Sequence, residues 1–324
     1  MRFLGPCQRW KQLAIRIGIV AILLAISHVS LALLVDSWPL YPGAEDDGET
    51  NFTVFGDSQG QIAFLWPISG RFDNVIERVN ETDAELSFHV GDMYFGDDWW
   101  AMSVEAQANR LNDAIDDLDI PLYPVMGNHD ARGSGWEVTR ERIFRDDRTY
   151  YSLNKGDCHF VVLDAFMPGF ENSISEEQIT WLEDDLANVG KPHIFVFVHA
   201  PLYPVGGYFG EALDTDPELR DRLVSLFVQH GVDAVFCGHE HFYASFEYNR
   251  IMQITTGGAG GELRSPADLE ELIDEFGYSA AQIDRYVTAE THHYVYVSTN
   301  KEGIEISVYD LDGDLIDRFD IVLR

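Results

Sequence analysis

The sequence predicts an α/β fold, parallel strands with covering helices followed by a second sheet, and two observations carry that prediction. From residue 51, short apolar runs alternate with segments of helical period in the order β-α-β-α as far as residue 237, the pattern of parallel strands with covering helices. From about residue 241 onward the segments are mostly strand at hairpin spacing, so a second sheet, mixed or antiparallel, is expected there. A chain of 324 residues has ample material for such a core.

The N-terminus is read apart from this domain. Residues 17–35 (IGIVAILLAISHVSLALLV) carry no charge and follow Arg2, Arg9, Lys11 and Arg16. A basic flank before an apolar run leaves the N-terminus in the cytoplasm and places the rest outside. The run is long for a signal-peptide core and just long enough to span a bilayer. Residues 1–35 are therefore expected to be a basic flank and a membrane anchor, with a cleaved signal as the alternative. The remainder is expected to be extracytoplasmic, anchored in the first case and secreted in the second. Residues 36–50 (DSWPLYPGAEDDGET), rich in Pro, Gly and acid, read as a linker, and residues 51–324 as the folded domain.

Within the domain, strands are expected at 51–56, 86–90, 121–126, 158–164, 193–198, 232–237, 241–247, 250–255, 292–298, 303–309 and 315–321. Helices are expected at 70–80, 99–117, 175–188, 215–230 and 267–276. Residues 262–290 form an acidic insertion that reads as a solvated helical excursion. Cys158 and Cys237 lie in apolar strands and read as two separate buried thiols.

Charge sets the partners. Asp and Glu number 55 against 22 Lys and Arg, a formal net charge of −33, so nucleic acid and anionic membrane surfaces are repelled unless a local cation intervenes. The Asp-rich, Lys-poor composition suits a salt-adapted protein or an ordinary acidic secreted one, and does not decide between them.

The polar residues fall in a pattern that turns alone do not explain. TVFGD ends in Asp57, LSFHVGD in Asp92, LYPVMGNHD in Asn128, His129 and Asp130, IFVFVHAP reaches His199, and AVFCGHEH ends in His239 and His241. Five apolar strands thus each deliver Asp, Asn or His at their carboxyl ends, the edge at which open α/β sheets bind ligands. One Asp after a Gly is ordinarily a turn or cap residue, but GNHD and GHEH carry imidazoles that a turn has no use for. Asp, Asn and His are ligands for hard or borderline divalent cations, and no ligand-spaced Cys suggests a structural zinc. The donors are too many for one ion; two metals about 3.5–4 Å apart, bridged by a carboxylate, form the arrangement that hydrolyses phosphate esters.

These motifs resemble those of the calcineurin-like metallophosphoesterase superfamily, here as Asp57-Ser58-Gln59, Gly91-Asp92, Gly127-Asn128-His129-Asp130, His199 and Gly238-His239-Glu240-His241, with TTGGAGG at 255–261 similar to its later Gly-rich segment. The resemblance covers roughly residues 50–245. It implies a four-layer α/β/β/α sandwich, two mixed β-sheets flanked by helices, and a dinuclear metal-dependent phosphoesterase acting on a small phosphate monoester or diester. It assigns Asp57, Gln59 and His241 to the first metal, Asn128, His199 and His239 to the second, and Asp92 to both. Hydroxide held by the metals would attack phosphorus in line, His129 would protonate the leaving oxygen, and Asp130 would orient His129 by accepting its other N–H.

Two departures from the family pattern follow. Gln59 stands where most members have His; its neutral oxygen favours Mn²⁺ or Fe²⁺ over Zn²⁺, although Zn²⁺ stays possible. Local sequence is similar to purple acid phosphatases, yet Phe95 stands where those place a Tyr ligand, and Tyr94 is one residue early. A colourless relative is expected. Asn128, Arg132 and Tyr203 are the candidates for touching substrate, in or beside the aromatic loops YFGDDWW (94–100) and HAPLYPVGGYFGE (199–211). A catalytically silent binding scaffold and a nucleotide or pyrophosphate hydrolase are the alternatives.

Overall fold

The computed structural model describes residues 48–62, 66–96, 103–300 and 303–321. The apolar run at 17–35, nearly all of the expected linker, and Trp99 and Trp100 lie outside the described residues. Among the described residues no helix is long and apolar enough to cross a membrane.

Two large sheets face each other. The first has six strands in the order β15-β14-β13-β1-β4-β5: β1 (Thr50–Phe55), β4 (Leu86–His89) and β5 (Leu122–Pro124) run parallel, and β13 (His293–Asn300), β14 (Gly303–Asp310) and β15 (Leu315–Ile321) extend it antiparallel. The second has seven strands in the order β12-β10-β11-β9-β8-β7-β6. Its parallel centre is β7 (Cys158–Val162), β8 (His193–Phe197), β9 (Ala234–Cys237) and β11 (Ile251–Thr256). Its antiparallel flanks are β6 (Tyr151–Lys155), β10 (Tyr243–Tyr248) and β12 (Ile283–Ala289). A small hairpin, β2 (Gln59–Ile62) with β3 (Trp66–Ile68), follows β1.

The residue pattern explains the layering. Alternate residues of a strand point to opposite faces. Phe52, Phe88, Phe160, Phe195, Phe197 and Phe236 therefore meet between the sheets, with Phe88 stacked on Phe197 at 3.9 Å and Phe197 on Phe236 at 5.3 Å. The other face of each sheet packs under helices. Phe72, Val75, Ile76 and Val79 of α1 (Arg71–Asn80) belong to the same core as Phe55, and α2 (Val104–Ile115) adds Val104, Ala108 and Leu111. A short helix α3 (Gly135–Thr139), continued by a π-helical turn at Arg140–Phe144, precedes β6. The second sheet is covered by α4 (Glu176–Ala187), capped by Ser175, and α5 (Pro217–His230), which starts on an Asp216 cap with Pro at its first position and ends on Gly231 at φ 71°.

Two expectations are corrected. The early parallel strands do not form one sheet with the late strands as another: β1, β4 and β5 part from β7, β8 and β9, and the late strands divide between both sheets as their antiparallel edges. Hydrophobic period reports that a strand exists and not which edge it joins. The 262–290 insertion is not merely helical: after α6 (Leu269–Asp274) it returns as β12, pairing antiparallel with β10. Strands β2, β3, β6 and β12 and helix α3 were not expected, being short or only half-buried.

Candidate metal centre

Five strand ends converge. β1, β4 and β5 deliver Asp57, Asp92 and the 127–130 turn from one sheet, and β8 and β9 deliver His199, His239 and His241 from the other. The backbone there is unusual: Asp57 (φ 61°), Asp92 (φ 54°), His239 (φ 73°) and His241 (φ 48°) are all left-handed. Such conformations are strained for residues other than Gly and gather at functional sites. Gly127 permits the close approach, since a Cβ there would lie 2.2 Å from the Asp92 amide nitrogen and 2.3 Å from its Oδ1.

Two ligand groups share one carboxylate. Asp92, His199 and His239 form one group, and Asp57, Asp92 and His241 the other, with the ligand atoms of each within 4.8 Å of one another. Asn128 Oδ1 lies 3.1 Å from His199 Nε2 and 3.0 Å from His239 Nδ1, joining the first group. Gln59 joins the second: its Nε2 lies 3.2 Å from Asp92 Oδ2 and 3.0 Å from His241 Nε2, while its Oε1 is buried without a hydrogen-bond partner. A half-turn of the amide exchanges the two atoms and brings that oxygen to face Asp92 and His241.

The histidines are held by their far nitrogens. His199 Nδ1 donates to the Val90 carbonyl at 2.7 Å, His239 Nε2 to the Glu211 carbonyl at 3.0 Å, and His241 Nδ1 to the Glu262 carbonyl at 2.8 Å. Each bond fixes a tautomer whose remaining lone pair points into the cluster, as metal-ligating imidazoles are held. His199 Nε2 and His239 Nδ1 then both face the Asn128 oxygen, acceptor against acceptor, a juxtaposition that a cation between them resolves. The donor set therefore fits a pair of metal ions.

Charges agree with this fit. Among the described residues, Asp57 and Asp92 lie within 4 Å of histidine nitrogens and form no ion pair with Lys or Arg. Burial pushes the Asp57 carboxyl well up; burial also opposes charge on Asp92, but His199 and His129 outweigh it and hold that carboxyl low. Burial drives His239 down to about 3 and His241 down to about 4, the neutral form that a ligand requires. Burial also disfavours charge on His199, yet Asp92, 3.4 Å away, and Asp57 push it up to about 9. A metal ion bound there would displace that proton and take the lone pair as its ligand.

Other expected residues are placed as follows. His129 is half-buried, its amide donates to Asp92 Oδ1 at 2.8 Å, and its Nε2 lies 3.9 Å from Asp92 Oδ2. Asp130 does not hold the His129 ring, contrary to expectation. Its carboxylate accepts the amides of Asp92 (2.8 Å), Gly127 (2.9 Å) and Met93 (2.9 Å), and the Phe95 carbonyl takes His129 Nδ1 at 2.8 Å. A buried carboxylate under a turn satisfies backbone donors that have no other partner. Tyr203 is also corrected. It is 2% exposed, its hydroxyl accepts from Asn249, and its ring packs on Tyr248. Tyr208, five residues on in the same loop, is the aromatic at the site, with its ring 4.0 Å from that of His239. Arg132 is half-buried, and its charge reaches the Tyr208 phenol. Tyr94 is buried against Thr139, and Phe95 lies edge-on to His129. Cys158 and Cys237 are separate buried thiols.

Sequence reasoning missed Tyr208, Arg264 and Glu240. The buried Glu240 carboxylate accepts the Val205 amide at 2.9 Å and so ties the loop bearing Tyr208 and Glu211 to the GHEH turn. The aromatic loop was visible, but no local signal tells Tyr208 from Tyr203.

A sandwich of two mixed sheets with a candidate dinuclear centre at its strand ends defines the class of protein. The calcineurin-like phosphoesterase profile matches residues 50–243, and the chain belongs to that family; it is a metal-dependent phosphoesterase. Human serine/threonine-protein phosphatase CPPED1 is 28% identical over 331 residues, spanning 90% of this chain and 96% of that protein. Purple acid phosphatase 22 of Arabidopsis thaliana is 26% identical over 241 residues, spanning 64% of this chain and 53% of that one. Among solved structures, purple acid phosphatase PPD1 from yellow lupin superposes with a TM-score of 0.67 at 17% identity, over 85% of this chain and 54% of that chain. A dimetal phosphatase from Danio rerio superposes with a TM-score of 0.58 at 14% identity, over 85% of this chain and 99% of that one.

Proposed function

We propose that the protein hydrolyses phosphate monoesters with two divalent metal ions, one held by Asp57, Gln59 and His241, the other by Asn128, His199 and His239, and both by Asp92. The observation that carries this reading is the convergence of three imidazole lone pairs on two groups that share Asp92. The phosphatase names of the similar proteins support a monoester. When bound, the cations supply Lewis acidity, acidify water and give this acidic protein the positive charge a phosphate anion requires.

The chain's own residues do the rest. Asn128, half-buried, would meet a metal through its Oδ1 and a phosphoryl oxygen through its amide N–H. His129 donates its Nδ1 proton to the Phe95 carbonyl, so Nε2 is the nitrogen that, when protonated, delivers a proton to the leaving oxygen. Asp130 acts through the backbone, locking Asp92 to the turn that carries Asn128 and His129. The Gln59 oxygen favours Mn²⁺ or Fe²⁺ in the first position, and Gln59→His should move that preference toward Zn²⁺. The apolar run at 17–35 supports an extracytoplasmic, membrane-associated placement, which fractionation with and without carbonate extraction would test.

The deciding experiment is hydrolysis of p-nitrophenyl phosphate beside bis-p-nitrophenyl phosphate by metal-free protein titrated with Mn²⁺, Fe²⁺ or Zn²⁺. Metal-dependent activity on the monoester, lost in Asn128→Ala, supports the proposal. Faster turnover of the diester moves it to phosphodiesters, and an inert protein that still binds metal makes it a binding scaffold.

A further inference from the structure

One arrangement beside the centre has no part in the chemistry described above. Tyr208 lies over the His239 imidazole with ring centroids 4.0 Å apart and 31° between planes. The Arg264 guanidinium carbon lies 4.5 Å from the centroid of the same phenol. The Tyr208 ring thus packs against both the His239 imidazole and the Arg264 guanidinium, beside the metal-ligating cluster. The base of Arg264 is fixed as well, since its amide donates to the His241 carbonyl at 3.2 Å.

Arg264 is exposed, and among the described residues it forms no ion pair with a carboxylate. By contrast, Arg78, Arg140, Arg220, Arg222, Arg285 and Arg318 each hold an acidic partner. A guanidinium held flat on a ring keeps its in-plane N–H donors for another anion, and a planar donor fork suits carboxylate and phosphoryl oxygens. Arg264 is exposed whereas His239 is buried, so the guanidinium lies toward solvent from the ligand cluster and suits a group on the substrate other than the phosphoryl group at the metals. In a chain with a formal net charge of −33, a built cationic spot beside the site selects for that group.

We infer that Arg264, stacked on Tyr208, is a specificity-determining residue that receives a second anionic group, so that the preferred substrates are phosphate esters whose organic part carries a carboxylate or a further phosphate. This inference rests on the hydrolase reading above, and its test separates the two. Metal-loaded wild type, Arg264→Ala and Arg264→Lys are compared on phenyl phosphate against 3- and 4-carboxyphenyl phosphate, with phosphate release measured. Calorimetry on the same proteins measures binding of phenylphosphonate against its 3- and 4-carboxy derivatives. Wild type should prefer a carboxylated partner, and Arg264→Ala should reduce that preference about tenfold through KM and not kcat, with an equal loss in phosphonate binding. Arg264→Lys, which keeps the charge without the plane, should recover part of it. No preference in wild-type binding, or an equal loss on plain and carboxylated ligands in Arg264→Ala, overturns the inference. If wild type turns over neither ester yet binds the carboxylated phosphonate through Arg264, the hydrolase reading fails and the anion subsite stands.

Discussion

Replacing Asp130 with Asn alters one atom and one charge beneath the metal centre, and the structure sets its consequence. Oδ2 accepts two amides, from Asp92 and Gly127, and Oδ1 accepts a third, from Met93. An Asn side chain has one acceptor oxygen. With that oxygen in the doubly bonded place, its amide faces the Met93 N–H, donor against donor, in a fully buried position. An unsatisfied buried donor costs about 1–3 kcal/mol, and hydrogen bonds to a neutral oxygen are about half as strong as those to a carboxylate. Against this, burial and the neighbouring Asp92 push the Asp130 carboxyl up to about 7, so the neutral side chain escapes part of a charge penalty. The balance is about 2–3 kcal/mol, which for a domain of this size lowers Tm by about 4–12 °C. Because the weakened bonds to the Asp92 and Gly127 amides position Asp92, metal affinity should fall about 10- to 100-fold. Differential scanning calorimetry of metal-free protein and a metal-binding titration read the two effects separately. Had Asp130 served to orient the His129 ring, the variant would lose kcat while keeping its Tm and metal affinity, and that result would refute the reasoning.

Three further outcomes follow from the packing. Phe52→Ala removes a fully buried ring that meets five other phenylalanines at centroid distances of 5.0–6.4 Å between the sheets; the expected loss is about 3–5 kcal/mol, seen in urea denaturation, and a loss under 1 kcal/mol would contradict the packing account. Gly238→Ala would put a Cβ 2.4 Å from Asp57 Oδ2 and should cut metal affinity at least tenfold, measured by equilibrium dialysis. Asp317 on β15 accepts from Arg285, Tyr243 and Ser245 of the opposite sheet; burial opposes its charge, but the Arg285 and Tyr243 hydrogen bonds outweigh it and hold the carboxyl below its ordinary value. A depressed folded pKa stabilises above the unfolded value of about 3.9, and that stability is lost as pH falls below it. Wild type should therefore exceed Asp317→Asn by about 2 kcal/mol at pH 7, with the gap closing below about pH 4.

Much of the fold and the gathering of the site could be read from the chain because the signals are local. GNHD and GHEH each sit directly after an apolar strand, and a strand end fixes which edge of a sheet its last residues occupy. What could not be read is non-local. The assignment of β12 to the edge beside β10 depends on a partner distant in sequence, and its half-buried residues leave a weak alternation. The division of the strands between two sheets likewise leaves no trace in hydrophobic period. At the site, the groups that orient the histidines are the carbonyls of Val90, Glu211 and Glu262, and a backbone oxygen has no residue identity to recognise. The role of Asp130 is hidden for the same reason, since its partners are amides. Tyr203 and Tyr208 look alike in sequence because composition marks an aromatic loop without saying which ring faces the site.

The same backbone groups explain how strained ligands are maintained. Left-handed conformations at Asp57, Asp92, His239 and His241 cost on the order of 1 kcal/mol each. They persist because the ligands are themselves the acceptors of the frame. Asp57 takes the His239 amide on both oxygens, Asp92 takes the His129 amide, and the Asp57 carbonyl takes the Gly261 amide at 2.7 Å. Each carboxylate thus satisfies a buried N–H on one side and turns its remaining lone pairs inward on the other. Hydrogen bonds within the frame itself thus offset the strain at the ligand positions.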